Sequence, residues 1–393
     1  MKRLFVAVLG AAIGLSVASA DAADKIRIGI IAHLSGPFAD SGKQFTDGIN
    51  TFLAQHGTSV GGRDVELIYR DVGGANPQVA RRLAEELVIK DKVQLLGGFY
   101  LSPDASAVAS VITEAKIPSV IFNAASPAIM RQSPWFVRTG QSLWQASTPP
   151  AEWAIAQGKK TAYLAVADYA PGYDVEDAFK TKFTALGGQI VGDDRIPLNT
   201  IDFSAFAERI ARAKPAIVVS FIPNGAPSAG FIKALAAQGV MSGGTPVIGS
   251  AETDDTEQKY FDDNVVGAYS SLFYVPSLDN PENKAFKAQL AKTAGPDVIP
   301  NFAMVGAYDG MNVLYHMIEA QAGKPFDPNA AMAAAKGYEW KSPRGPAKIE
   351  PDTRDITQNE YIRQVQKVDG KRINVVVATY PMVKDPWPAA HPN

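Results

Sequence analysis

The sequence contains no cysteine among its 393 residues, and this absence excludes disulfide-stapled modules and thiolate zinc sites. It also leaves no thiol that could carry a lipid anchor. The sequence also has no marked excess of either charge, because it contains 38 basic and 40 acidic side chains and its formal net charge is −2. A nucleic-acid-binding protein normally has a marked basic excess, so we expect no nucleic-acid partner.

The residues that are present indicate a folded protein. Hydrophobic residues make up 46% of the chain and charged residues 20%, which differs from the low hydrophobicity and high net charge of a disordered chain. The length suits two lobes of roughly 100–200 residues each. The 33 glycines and 27 prolines indicate many turns between short elements.

Residues 1–20 have the three parts of a secretory signal peptide. Lys2 and Arg3 precede an apolar run over residues 4–17, and Ala18-Ser19-Ala20 is a small-x-small cleavage sequence. An uncleaved membrane anchor is the alternative, but the run is shorter than the roughly 20 apolar residues of a bilayer span. With the missing cysteine, this predicts a freely diffusing exported protein, most simply in a bacterial periplasm.

Strands alternate with helices in two successive sets. The first set covers residues 26–122 and contains Asn76-Pro77, a capping side chain followed by a proline suited to the first helical position. The second set covers residues 144–249. Such alternation indicates right-handed βαβ units, so we predict an α/β fold of two Rossmann-like lobes with parallel sheets.

The pattern changes after Val265. Residues 266–275 resemble a strand, and two further helices are predicted over residues 281–292 and 301–322. Residues 343–346 have the composition of a linker. The last segment predicts a hairpin over residues 361–380 that turns at Asp369-Gly370.

Six loops follow strands of the two sets, at the edge where open parallel sheets bind ligands. They combine small residues, hydroxyls and aromatics. Small residues let a ligand reach backbone N–H groups, while hydroxyls hold polar atoms and aromatics cover apolar surface. These loops are residues 35–38, 99–102, 123–126, 168–173, 222–225 and 250–253.

Ser102 is the sharpest single candidate for a ligand contact. It precedes Pro103 and a predicted helix, so it lies at a helix N-terminus. Free N–H groups and the helix dipole there favour an anion such as a carboxylate. The alternative role is a simple N-cap, because serine is among the commonest capping residues.

Several segments occur in an order that is specific as a set. They are Ile28-Gly29-Ile30, Leu34-Ser35-Gly36-Pro37, residues 98–102, Ile117-Pro118, Asn123-Ala124-Ala125-Ser126, Phe136-Val137-Arg138-Thr139 and Tyr173. In these segments the chain resembles the type I periplasmic solute-binding proteins of the branched-chain amino-acid (Leu/Ile/Val) ABC-transporter family, over nearly its whole mature length.

The resemblance implies two lobes that are joined by three hinge crossovers and close over a ligand. The expected first lobe holds residues 24–140 and 273–347, and the second holds 141–272 and 348–393. It also implies that Ser102 binds a ligand carboxylate, helped by Ala124 and Ser126, and that Tyr173 closes from the second lobe.

Two departures from the family pattern bear on the ligand. The amino-acid-binding members have a second-lobe tyrosine where this chain has Asn224-Gly225. They have an acid for the ligand's ammonium group where this chain has Ala251, with Glu252 one residue later. Burying an ammonium group without a carboxylate partner costs on the order of several kcal/mol.

Aromatic residues are plentiful in and near the same loops and could line an apolar cleft. We therefore expect a small organic carboxylate as the ligand, with an aromatic acid favoured; a branched-chain or other amino acid, or an amide, is the alternative. The aromatic residues concerned are Phe38, Tyr100, Tyr173, Phe221 and Phe273.

An enzyme is the rival from another class. The first strand is not followed by G-x-G-x-x-G, and the sequence has no G-x-S-x-G, H-E-x-x-H or phosphate-loop motif. His33 near the cleft is interpreted as closing a strand end rather than acting as a general base. The pairs Asp254-Asp255 and Asp262-Asp263 are interpreted as solvated loop charges rather than a cation site. We expect no catalytic residue, metal or cofactor.

The family resemblance also implies the partners. They are a small-molecule ligand and the ABC permease subunits of the inner membrane, with the protein itself a monomer. A sensory receptor that recognises the closed form is the alternative partner.

Overall fold

The structure is a computed structural model that describes residues 25–392. The predicted signal peptide lies outside these residues. Within them, helices flank two mainly parallel sheets, so the α/β prediction is confirmed. No helix of this range has the length and apolar character needed to cross a membrane.

The first sheet has six strands in the order β2-β3-β1-β4-β5-β6, and all neighbours except β2 and β3 are parallel. Its strands are β1 (Ile26–Ala32), β2 (Ser59–Val60), β3 (Arg63–Asp71), β4 (Leu95–Gly98), β5 (Ser119–Ile121) and β6 (Phe136–Arg138). The helices of this half are α1 (Ala39–His56), α2 (Pro77–Ile89), α3 (Ser102–Ala115) and α4 (Ile129–Gln132). Asn76 caps α2 as predicted, since its side chain accepts a hydrogen bond from the Val79 N–H.

The second sheet is built on the parallel strand order β8-β7-β9-β10-β11. Its parallel strands are β7 (Thr161–Ala167), β8 (Gln189–Ile196), β9 (Ile217–Phe221), β10 (Val247–Gly249) and β11 (Tyr269–Leu272). The intervening helices are α5 (Leu143–Ala156), α6 (Ala170–Ala185), α7 (Ser204–Ala213) and α8 (Ala226–Ala237).

The chain after β11 packs against the first sheet and adds strands to the second. Apolar residues of its first helices join the core of the first sheet, while its strands extend the second sheet in antiparallel fashion. These elements are α9 (Pro281–Thr293), α10 (Phe302–Glu319), α11 (Pro328–Ala335), β12 (Glu339–Ser342), β13 (Gly345–Ile349), β14 (Ile356–Val368), β15 (Lys371–Val383) and α12 (Trp387–Ala390).

The two hairpins of this segment differ in how well the sequence predicted them. The hairpin β14–β15 turns at Asp369 and Gly370 as predicted, and both residues have positive φ, as the tight hairpin turn requires. The linker predicted at residues 343–346 is wrong, because β12 and β13 pair around this segment. Gly345 provides the turn there with φ of 108°.

Three fully buried arginines lie where the chain passes between the sheets. Arg138 pairs with Asp355 at 2.5 Å, Arg344 with Asp309 at 2.8 Å and Arg363 with Asp254 at 3.1 Å. Asp254 is therefore a buried ion-pair partner. Asp255 is buried too and accepts a hydrogen bond from the Asn374 N–H at 2.9 Å, so the interpretation of this pair as solvated loop charges is wrong. A buried charge is tolerated only when it is paired and hydrogen-bonded, so these pairs hold the connecting segments together.

Replacing Asp309 with asparagine leaves the Arg344 guanidinium buried without its counter-charge. We expect Asp309→Asn to lower the free energy of unfolding by about 3–5 kcal/mol, measured by urea denaturation. Asp263→Asn is the matched control: Asp263 pairs with Lys367 and Arg372 but is 59% exposed, so its loss costs about 1 kcal/mol or less. Equal effects of the two variants would contradict the role of the buried pair.

Candidate functional site

A cavity of about 360 Å³ lies between the carboxyl ends of the two sheets' parallel strands. All six loops singled out in the sequence contribute to its lining. The residues that carry its polar and aromatic character include Phe38, Gln44, Tyr100, Ser102, Asn123, Gln141, Tyr169, Phe221, Asn224, Ser250, Glu257, Tyr260 and Asn301. A cavity of this size and composition suits a small ligand with a few polar groups.

The chain turns sharply where β4 meets the cavity. Gly98 has φ of 114°, and a Cβ there would lie 2.1 Å from the Ile31 carbonyl oxygen, so only glycine fits. Phe99 is buried and also has positive φ, at 64°. Its N–H donates to the Ile31 carbonyl at 3.0 Å. This strained turn directs the next residues, Tyr100 to Ser102, into the cavity lining.

Ser102 is the first residue of α3, and Leu101 occupies the N-cap position without a side-chain cap. The N-cap alternative for Ser102 is therefore wrong. Its hydroxyl instead accepts a hydrogen bond from the Ser126 N–H at 3.1 Å, and the residue lines the cavity. The Ser102 hydroxyl is thus left with its own proton to donate, beside the cavity and at the N-terminus of α3.

Phe38 and Tyr100 form an aromatic wall on the first-sheet side, with ring centroids 6.5 Å apart. Behind them lies His33, whose ring centroid is 5.3 Å from that of Phe38. Its Nε2 is 3.0 Å from an Asp104 carboxylate oxygen, and both side chains are buried. Burial lowers the pKa of His33, but Asp104 and the Gly73 carbonyl raise it further, so the net shift is upward. His33 therefore supports the wall and does not line the cavity.

Tyr169 forms the opposite wall and was not singled out in the sequence. Its ring stacks near Phe221 with centroids 6.2 Å apart. Tyr173, which the resemblance indicated, lies outside the cavity lining, and its hydroxyl donates to Asp168 at 2.6 Å. The cause is the helix start: α6 begins at Ala170, so Tyr169 is the last residue before the helix. Pro171 was the available signal, because proline favours the first helical turn.

Of the two remaining second-lobe candidates, Asn224 lines the cavity and Glu252 does not. The Glu252 carboxylate is buried and accepts hydrogen bonds from the N–H groups of Ile222, at 3.1 Å, and Ser250. It therefore joins the loops after β9 and β10. Burial raises its pKa to about 7, against an ordinary value of 4.5.

Ala124 and Ser126 also lie beside the cavity rather than in its lining. Ala124 is fully buried, and its carbonyl accepts from Arg138 at 3.2 Å. The Ser126 hydroxyl donates to the Asp174 carboxylate at 2.6 Å. Ser126 lies between β5 and β6 of the first sheet, and Asp174 belongs to α6, which flanks the second sheet. This hydrogen bond therefore joins the two halves.

The structure thus brings Phe38, Tyr100, Ser102 and Asn224 together around one cavity. Among the described residues that line it there is no lysine, arginine or histidine, and the acids are Asp40 and Glu257. An anion in this cavity would have to be held by N–H, hydroxyl and amide groups. Glu257 was missed from the sequence because nothing in a loop marks which carboxylate turns inward.

Comparison with known proteins assigns this architecture. A sequence model described as periplasmic binding protein matches residues 25–371. The chain belongs to this family. A curated relative, Leu/Ile/Val-binding protein homolog 6 of Brucella melitensis, is 42% identical over 388 residues, covering 98% of this chain and 99% of the relative. Family members are solute-binding proteins rather than enzymes, which confirms that interpretation of the sequence.

Solved structures of the family include ligand complexes. A solute-binding protein of an ABC transporter from Rhodopseudomonas palustris HaA2, in complex with p-hydroxybenzoic acid, is 42% identical with a TM-score of 0.88, covering 94% of this chain and 100% of that one. A second, from Rhodopseudomonas palustris BisB5 with 3,4-dihydroxybenzoic acid, is 38% identical with a TM-score of 0.85, covering 92% and 99%.

The raised pKa of Glu252 predicts a pH-dependent contribution to stability. The folded state retains the Glu252 proton up to about pH 7, whereas the unfolded chain releases it at its ordinary pKa, so stability falls as pH rises across this interval. We expect the unfolding free energy of the wild type to fall by about 3 kcal/mol relative to Glu252→Gln between pH 4.5 and pH 8. Urea denaturation of both proteins at several pH values measures the difference, and parallel pH curves would contradict it.

Proposed function

We propose that the protein is the periplasmic solute-binding component of an ABC importer and that it captures a small aromatic carboxylate by closure of two lobes. The observation that carries this proposal is the cavity itself. It has aromatic walls from both sheets and, at one side, the Ser102 hydroxyl with the N-terminus of α3. The aromatic acids bound by the two Rhodopseudomonas relatives support the same ligand class.

The ligand's carboxylate is assigned to the N-terminus of α3. No basic side chain among the described lining residues competes for it, while the dipole of α3 favours an anion at this position. The Ser102 hydroxyl adds a donor. The ring then lies between Phe38 and Tyr100 on one side and Tyr169 and Phe221 on the other, where offset or edge-to-face packing of aromatic rings is favourable.

Closure is assigned to the two lobes predicted from the sequence, residues 24–140 with 273–347 and residues 141–272 with 348–393. The three crossovers, near residues 139–142, 271–274 and 346–350, lie next to the buried arginines. Arg344 donates to the Thr139 carbonyl at 2.8 Å and Arg363 to the Tyr274 carbonyl at 3.0 Å. The closed form presents both lobes to permease subunits, and ligand binding shifts the open–closed equilibrium towards it.

A branched-chain amino acid is the second candidate ligand, and Glu257 is the observation that favours it. The acid that the sequence lacks at Ala251 is available in the cavity at Glu257, where it could pair with an ammonium group. The curated Brucella relative, named as a Leu/Ile/Val-binding homologue, is consistent with this alternative. The ligand panel described next separates the two.

Titration calorimetry with 4-hydroxybenzoate, benzoate and leucine tests the ligand class. We expect the aromatic acids to bind and leucine not to bind, and we expect saturating aromatic acid to raise the free energy of unfolding by about 2.7 kcal/mol at 100 times Kd. Ser102→Ala should weaken aromatic-acid binding by about 1–3 kcal/mol. Ser110→Ala, on an exposed position of the same helix, is the matched control. Tight leucine binding without any response to aromatic acids would overturn the proposal.

The hydrogen bond between Ser126 and Asp174 should stabilise the closed form. We expect Asp174→Ala to accelerate dissociation of 4-hydroxybenzoate roughly tenfold, because a hydrogen bond to a charged group contributes about 1.5–3 kcal/mol. Stopped-flow measurement of tyrosine and tryptophan fluorescence gives the rate. Asp177→Ala changes an exposed acid of the same helix and should leave it unchanged; equal dissociation rates in the two variants would contradict the closure contact.

A further inference from the structure

Glu257 has no assigned role in holding a carboxylate, although it lines the same cavity. No side chain among the described residues donates a hydrogen bond to its carboxylate. Charges of both signs act on the Glu257 carboxyl: those of Asp254 and Asp40 raise its pKa, and that of Lys259 lowers it. Burial, followed by the charge of Asp254, raises its pKa to about 7.

Glu257 lies beside Gly225, in the part of the cavity lining that comes from the second half, whereas Tyr100 and Ser102 come from the first. Burial together with the charge of Glu257 raises the pKa of Tyr100 to about 12. Glu257 and Tyr100 both line the cavity. Because Glu257 and Ser102 belong to different halves of the lining, Glu257 is available to a part of the ligand other than the part that contacts Ser102.

The charges at the two sides of the cavity impose an orientation on an aromatic acid. The ligand's carboxylate is attracted to the N-terminus of α3 and repelled by the Glu257 carboxylate. The opposite end of the ring then points towards Glu257. The Gly225 backbone is one partner of the Glu257 carboxylate. A phenolic hydroxyl would donate a further hydrogen bond to it, whereas an unsubstituted ring end donates none.

A second observation also indicates an oxygen-bearing ligand. Asn301 lines the cavity and is only 1% exposed, and its Nδ2 has no hydrogen-bond partner among the described residues. Its Oδ1 is already used, because it accepts from the Met304 N–H at 3.0 Å. A buried amide nitrogen of this kind requires an acceptor atom, which an oxygen-bearing ligand would supply.

We propose that Glu257 is a specificity-determining residue that accepts a hydrogen bond from a ring hydroxyl opposite the ligand's carboxylate, so that the protein selects hydroxylated benzoates over unsubstituted ones. This inference rests on the proposed function and names the substrate class within it. The preference arises from the protein, because the Glu257 carboxylate can accept a hydrogen bond that benzoate cannot donate.

Titration calorimetry with 4-hydroxybenzoate and 4-fluorobenzoate tests the inference, because the two ligands are similar in size but only the first can donate. The wild type should prefer 4-hydroxybenzoate by roughly tenfold or more. Glu257→Leu should abolish this preference, mainly by weakening 4-hydroxybenzoate binding. Glu257→Gln retains an acceptor without the charge and should show an intermediate preference, which keeps the test valid if the leucine variant folds poorly.

Asp40→Asn is the matched control. It removes an acid from the same rim, but the Asp40 side chain is 84% exposed, so the preference should persist. A wild type that binds both ligands equally, or a Glu257→Leu protein that keeps the preference, would overturn the inference and leave the proposed function standing. A wild type that binds neither ligand would overturn the proposed function itself.

Discussion

The pairing of three buried arginines with aspartates is the constraint on which the rest of the structure depends. The partners are far apart in sequence, as in Arg138 with Asp355 or Arg363 with Asp254, yet they meet where the chain passes between the sheets. Separating such a pair leaves a buried charge without compensation, at a cost of about 3–5 kcal/mol. These pairs therefore hold the connecting segments together where the chain passes between the sheets.

The contacts across the cleft differ from these buried ion pairs. They include the Ser126–Asp174 hydrogen bond, which contributes about 1.5–3 kcal/mol, and the exposed pair Lys259–Asp40 at 3.9 Å. An exposed ion pair contributes only about 0–1 kcal/mol. The proposed closure would be reversible with contacts of this kind, because the ligand would then supply much of the free energy that holds the two halves together.

Much of this organisation was predictable from local patterns. The alternation of strands and helices, the cap at Asn76 and the turn at Asp369-Gly370 follow from propensities that act over a few residues. The six cleft loops followed from one topological rule. Positions within these loops were harder to predict, as Tyr169 and Tyr173 show. Because α6 begins at Ala170, Tyr169 lines the cavity and Tyr173 does not.

The sequence by itself determined the fold class and the loops that meet at the cleft, because these depend on short-range periodicity and on the order of strands and helices. Only the tertiary structure decided which carboxylates are buried and where. Asp254 pairs with Arg363, Glu252 joins two loops and Glu257 reaches the cavity. The environment of a carboxylate is set by residues that are distant in the chain, so the local sequence around it does not predict whether it is buried or exposed.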